Sequence, residues 1–373
     1  MNTFRKRVTF LYLWTLAGVF LSFVPIVFQP SSSLELAAVS AVFGTYFGLG
    51  MPATMGFFAA STSIENRSQL AGITFLTVGM AFSVIGIAAT DVAIVGAALA
   101  AIRIMGLLFL FLLKFGSLTL QEHSRASYIS IVTNKSFMLY FVPWCMFSLV
   151  NYMTIPLMGK FFSEGEDFIR FSSILENILV AIFTVVAGFL ASMYGRKRLT
   201  IIGFALLGIG YAVLGLTPHS IETWSFYIAV DGIAWGIFYT MFLFTLWGDL
   251  AEMRNAEKFY VIGALPYLFS NFMRVLFGTI ISSIPSTAIF SFASVFLFLA
   301  VLPLIYAPET VPEKTLKDRD LKSYADKAIK KAQKETERKH KPNLPPNEEE
   351  TEERQPERSP EDEEARRLAE KYY

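Results

Sequence analysis

The sequence predicts an all-α membrane protein of about ten transmembrane helices, each needing about twenty apolar residues to cross the hydrocarbon core. Three observations carry this. Hydrophobic residues make up 54% of the 373 and 36 of them are phenylalanine, more than a soluble globular chain carries. Apolar stretches of spanning length recur, divided by short joints of polar, Gly, Pro or Ser residues. Most of the charge is confined to residues 308–373, so the net charge of +1 averages two unlike regions, a nearly uncharged body and a densely charged tail.

In chain order, the first span, 8–29, follows Arg5-Lys6-Arg7 and lacks a small-residue cleavage site, so it reads as a retained helix rather than a signal peptide. The span 35–59 holds Gly44 and Gly48, four apart on one helical face, where a neighbouring helix would pack tightly. Spans 69–89 and 91–114 complete a first group, residues 1–116, and the polar stretch 117–135 separates it from a second, 136–307. There the spans are 136–158, 167–193, 199–216, 223–248, 259–283 and 286–306, with Gly232 and Gly236 repeating the four-residue spacing. The single cysteine, Cys145, lies in an apolar stretch and excludes an intrachain disulfide or a cysteine metal cluster. In the tail, Leu321, Tyr324, Ala325, Ile329 and Ala332 recur at helical spacing and predict a short helix. Beyond it the chain is rich in Pro, Glu and Arg and too poor in apolar residues to fold alone.

Lys and Arg accumulate in cytoplasmic loops. With the N-terminus inside, the inner segments hold Arg5, Lys6, Arg7, Arg67, Lys114, Arg125, Lys135, Arg196, Lys197, Arg198, Arg254 and Lys258, whereas the outer ones hold Lys160 and Arg170. This asymmetry predicts an even number of spans and both termini in the cytoplasm, as in a multi-pass protein of the plasma membrane.

The chain also repeats. Arg5-Lys6-Arg7 is followed by a span, a turn, a span with paired glycines, a loop with an arginine and two further spans. Arg196-Lys197-Arg198 opens the same series, and corresponding residues (Arg5 and Arg196, Gly44 and Gly232, Arg67 and Arg254) stand at nearly constant separation. Transporter bundles are commonly built from such duplications. The second group carries two additional spans before its basic run; the first does not. In GFLASMYGRKRL, Gly188, Leu190, Ala191, Gly195, Arg196, Lys197 and Arg198 fit the pattern G-x-L-[AS]-D-R-x-G-R-[KR]-[KR], with Ser192 and Met193 where the pattern has Asp and Arg. GDLAEMRNAEKFYVIG supplies Asp249 and Arg254, and the last span closes on Pro308, Glu309 and Thr310. Through these residues the chain resembles the major facilitator superfamily of secondary transporters over residues 1–316. The resemblance implies an incomplete four-helix first half and a complete six-helix second half. It further implies an inner gate at the basic cluster, altered where Ser192 replaces Asp, and a cavity that a dimer partner or a second chain would complete where the first two helices are missing. It leaves open a shortened gene product.

Independently of the resemblance, the basic run is first a topology device. Its glycines let backbones approach, and its cations suit helix C-terminal carbonyls or an acidic partner such as Asp249. Charges within spans are more telling, because a central one costs about 2.5–3.5 kcal/mol on insertion scales. Arg103, Arg274, Glu176 and Asp231 are of this kind, and two cations with two anions would make a neutral polar core. Asn177 adjoins Glu176, and Asn151 and Tyr152 lie on the preceding span, so these groups would converge on one cavity. A buried carboxylate suits proton coupling, which favours Glu176 or Asp231; the arginines would balance charge or hold an anionic group. His123, His219 and His340 are scattered, and no Walker loop, nucleophile elbow or metal-ligand cluster occurs. The expectation is therefore a carrier of a small-molecule substrate in a lipid bilayer, with a proton or another coupling ion. It would be neither an ATP-driven pump nor an enzyme, and would use no cofactor, metal or nucleic acid. The competing expectation is a non-transporting scaffold or sensor whose charged tail recruits partners.

Overall fold

In a computed structural model the described residues are 4–28, 31–88, 91–112, 127–161, 166–251, 256–311, 321, 324, 325, 327–331 and 333, and no strand occurs among them. The helices are α1 (Phe4–Val27), α2 (Ser33–Ser61), α3 (Arg67–Ala88), α4 (Val92–Leu112), α5 (Tyr128–Val132), α6 (Lys135–Phe161), α7 (Glu166–Tyr194), α8 (Arg196–Leu216), α9 (Ile221–Phe238), α10 (Leu246–Ala251), α11 (Ala256–Ser283) and α12 (Ser286–Tyr306). A π-helical segment, Tyr239–Thr245, joins α9 to α10. Nine of the described segments are long and apolar enough to cross a membrane, with Ile221–Ala251 counting as one. At 27 residues, α6 has the length of a tenth. The chain is an integral, multi-pass, all-helical membrane protein.

Helix starts follow local chemistry. The Ser32 hydroxyl accepts the Glu35 N–H at 3.3 Å while the Glu35 carboxylate accepts the Ser31 N–H at 2.8 Å, a reciprocal cap on α2. Asn134 Oδ1 accepts the N–H groups of Ser136 and Phe137 at the start of α6. Two features depart from the sequence expectation. Helix α5 was not foreseen, and the span expected to run evenly over 223–248 contains the π segment. Threonine hydroxyls compete for carbonyls there: Thr240 Oγ1 donates to Gly236 O (2.9 Å) and to Thr184 O on α7 (3.1 Å), and Thr245 Oγ1 donates to Thr240 O (2.7 Å).

The repeat is visible in the packing. α1 lies along α4 as α8 lies along α12, and the groups meet through two matching crossings, α2 on α11 and the π segment on α3. A further long contact, α3 along α7, joins the groups as well. The buried aromatic core belongs to the second group, where Trp144, Phe147, Phe204, Phe238, Phe242 and Trp247 interlock. Exposed side chains such as Phe20, Phe111 and Val275 suit helices in lipid, where apolar exposure carries no penalty and close contact is left to small residues. The close approach expected at Gly232 and Gly236 is present: an added Cβ would lie 2.7 Å from the Cβ of Leu179 and of Phe183 on α7. At Gly44 and Gly48 it is not, since nothing lies within 4 Å of an added Cβ.

Met1–Arg319 forms one compact unit, so residues 308–311 belong with the helical body. Asp320–Tyr373 forms another. Its described residues are helical, with Leu321, Tyr324 and Ile329 exposed and the Lys327 ammonium 5.9 Å from the Tyr324 ring centroid. Ala332 and the expected disordered stretch lie outside the described residues.

Candidate functional site

Four segments assigned by their charge to the same side of the membrane meet at one end of the bundle: the α2–α3 joint, the α7–α8 joint, α10, and the chain after α12. Asp249 on α10 sits at their centre. Its Oδ1 accepts Arg67 Nη1 at 2.5 Å and its Oδ2 forms an ion pair with Arg196 Nη1, the three side chains being 1%, 6% and 0% exposed. Thr310 Oγ1 donates to Asp249 Oδ2 at 2.9 Å. Each arginine also reaches backbone oxygens, Arg67 Nη2 on Ala59 O (2.8 Å) and Thr62 O (3.2 Å), Arg196 Nη2 on Ile64 O, while Arg67 Nε donates to Thr62 Oγ1 (3.0 Å) and Arg196 Nε is buried without a partner among the described residues. Those carbonyls lie at and just beyond the C-terminus of α2, which has no intrahelical donors left for them.

Glu309 completes the cluster. Its carboxylate accepts the N–H groups of Arg196 (2.9 Å) and Lys197 (3.1 Å), the uncapped start of α8, and those of Thr310 and Val311. The joint is a single residue, Gly195, with φ +96°, a conformation that favours glycine, and an added Cβ would strike the Glu309 carboxylate. Two arginines and two carboxylates thus make a charge-neutral junction. Lys197 Nζ reaches Ile305 O (2.7 Å), whereas Arg198 is exposed. Gly188 is buried against α3, where an added Cβ would strike the Ser68 carbonyl oxygen. Beside it, Gln69 Nε2 donates to Ser192 Oγ at 2.8 Å, so the Ser that replaces an expected Asp still bridges α7 to α3, by a neutral bond. Arg254 lies outside the described residues.

Inside the bundle, the carboxyl groups of Glu176 (α7) and Asp231 (α9) face one another. Gly232 makes this possible, since its missing side chain lets α9 approach the α7 backbone at Glu176 and Leu179. Asp231 is 5% exposed and its Oδ1 has no hydrogen-bond partner. Tyr227 adjoins Asp231 and donates to the Tyr211 hydroxyl at 2.9 Å. Among the described residues neither carboxyl has a cation within ion-pair distance.

The four intramembrane charges therefore do not cancel as a quartet. Arg103 on α4 is held by α1, donating to Gly18 O (3.0 Å) and Ser22 Oγ, with its guanidinium 5.7 Å from the Tyr46 ring centroid; it belongs to the α1–α4 pair, away from Asp231. Arg274 on α11 lies 5.9 Å from the Tyr152 ring centroid. Tyr152 meets Tyr267 edge to face at 5.7 Å, and Tyr267 adjoins Tyr239 of the π segment, whose field includes Glu176. Glu176 and Tyr152 thus share a neighbourhood through two intervening tyrosines. Asn151 is half-buried on α6, and Asn177 points away, its Nδ2 bonded to Ser173 O at 2.8 Å on its own helix.

Sequence reasoning offered Asp249 as a partner for the basic run, which the Arg196 ion pair matches, but did not foresee Arg67 or Glu309 as members of the cluster. A signal for Arg67 was present, because it occupies in the first repeat the place of Arg254 in the second. Tyr239 and Tyr267 gave no signal, since tyrosine is ordinary in an apolar span.

No family model and no curated protein matches the chain. Among solved structures, the human organic anion transporter MFSD10 (TETRAN) is similar over 80% of this chain and 77% of its own, at 14% identity and a TM-score of 0.65. The major facilitator proton:xylose symporter XylE, bound to 6-bromo-6-deoxy-D-glucose, is similar over 82% of this chain and 80% of its own, at 16% identity and a TM-score of 0.57. The chain has the major facilitator fold.

Proposed function

We propose that the protein is a secondary transporter of the major facilitator type that moves a small solute by alternating access. The carrying observation is the sealed Arg67–Asp249–Arg196 junction, which ties α3 of the first group to α8 and α10 of the second. A buried ion cluster is near balance between Coulomb gain and desolvation, so it suits a contact that must form and break in each cycle. In this reading the junction closes the cytoplasmic end, in keeping with the positive-inside distribution and with both termini in the cytoplasm of a plasma-membrane protein. Glu176 and Asp231 are the proton carriers: two facing carboxyls, with no cation within ion-pair distance among the described residues, can share a proton. The two similar structures are an organic anion transporter and a proton:xylose symporter, so the shared fold admits either solute class. In proteoliposomes with an imposed pH gradient, wild type accumulates its solute, whereas Glu176→Gln inserts normally and loses gradient-driven uptake. Unchanged uptake by the variant removes Glu176 from the coupling.

A further inference from the structure

Arg274 is the intramembrane cation of the second group that has no ion-pair partner among the described residues. It lies within the apolar span Ala256–Ser283, and among the described residues no carboxylate stands within ion-pair distance of it and no side chain or backbone oxygen accepts its N–H groups. Its one described contact is the face of Tyr152. Half-buried Tyr267 and Arg274 continue, at helical spacing, the buried line of Tyr260, Gly263, Ser270 and Ile281 on α11, while Phe272, Val275 and Leu276 are exposed. An intramembrane arginine on an inner face without a protein anion is a functional group by default, and a planar guanidinium with free donors matches a carboxylate in two parallel hydrogen bonds.

The surroundings supply the rest of a binding site. Tyr152, whose ring faces the Arg274 guanidinium, meets Tyr267 edge to face at 5.7 Å, and Tyr267 meets Trp235 at right angles, 6.4 Å between centroids. Trp235 lies 4.7 Å from Tyr239, whose ring stacks on Phe75 of α3 at 4.6 Å. These rings come from α3, α6, α9, the π segment and α11, so they straddle both groups of helices. Aromatic groupings with a few polar tips and one charge are common in the lining of small-molecule sites. Two backbone irregularities adjoin them: the π segment begins at Tyr239, and Pro266 inside α11 removes a helix bond next to Tyr267.

We propose that Arg274, Tyr152 and Tyr267 bind the carboxylate of an organic anion whose flat apolar body lies against Trp235 and Tyr239. This deepens the transport reading and rests on it for the anion's being cargo. The same guanidinium chemistry would take the phosphate of an anionic lipid, and the test separates the two. Purified full-length protein in phosphatidylcholine nanodiscs is titrated with 1-naphthoate, with the neutral 1-naphthamide and with the cationic 1-naphthylmethylamine. The anion is expected to bind and the other two are not. Arg274→Gln, checked for unchanged size-exclusion profile, should weaken naphthoate by roughly tenfold or more; Arg274→Lys should restore part of the loss, and Tyr152→Phe should cost a smaller factor. Equal binding of anion and amide, undiminished binding by Arg274→Gln, or no binding by wild type overturns the proposal. Displacement of naphthoate by phosphatidylglycerol in the nanodisc assigns the arginine to lipid and overturns it too. Naphthoate binding at Arg274 with no uptake into liposomes keeps the site and removes the transport reading. Uptake of another solute at wild-type rate by Arg274→Gln keeps transport and removes the site.

Discussion

Asp249 serves two guanidiniums at once, and that makes it the residue on which the closed end depends. Replacing it by Asn leaves Arg67 and Arg196 buried side by side, with Glu309, the other carboxylate of the junction, already engaged with four backbone N–H groups. Breaking a buried pair this way costs about 3–5 kcal/mol. The closed arrangement should therefore give way to an open one, rather than the helices unfolding, because each guanidinium can then reach water. In a Cys145→Ser background, a cysteine at the fully buried Ala251 should react with a water-soluble thiol reagent roughly tenfold faster or more once Asp249 is Asn. At this scale the sequence was partly legible. Arg196, Lys197 and Asp249 stood out because charge beside an apolar span is rare. Arg67 and Glu309 did not stand out as partners, since their bonds join positions 182 and 113 residues apart and nothing local marks which cation meets which anion.

Between helices, contact is set by where side chains are missing. An added Cβ at Gly72 would strike the Thr184 carbonyl oxygen, and at Gly188 the Ser68 carbonyl oxygen, both backbone atoms that cannot turn aside. Gly72→Ala or Gly188→Ala should each force α3 and α7 apart at a cost of about 1–3 kcal/mol, seen as a lower melting temperature in detergent. Gly44→Ala, with nothing within 4 Å, should leave it unchanged. Equal shifts at all three positions would mean that these glycines do not govern the packing. Helix existence and ends were the most legible feature of the chain, because the width of a bilayer fixes the length of each apolar run. The paired glycines misled at Gly44 and Gly48, since identical spacing serves a close contact on α9 and faces open space on α2. The π segment was illegible because it depends on a carbonyl of another helix, that of Thr184 on α7.

For the molecule as a whole, the duplication read from two basic runs reappears as matching crossings, α2 on α11 and the π segment on α3, with α6 and α7 without counterparts in the first group. That order of helices was legible in the sequence; the polar interior was so only in part, because Glu176 and Asp231 do meet whereas Arg103 and Arg274 are held apart from them by the very pairing, α1 with α4 and α6 with α11, that builds each group. The central claim is that two helical groups close on one another at the Asp249 junction and part there. Spin labels at the exposed positions Ser63, between α2 and α3, and Arg198, at the start of α8, span that junction, and pulsed dipolar spectroscopy in nanodiscs measures the distance between them. Wild type should give a short-distance population, and Asp249→Asn should add a second, longer one. Identical distance distributions in the two proteins would contradict a junction that opens.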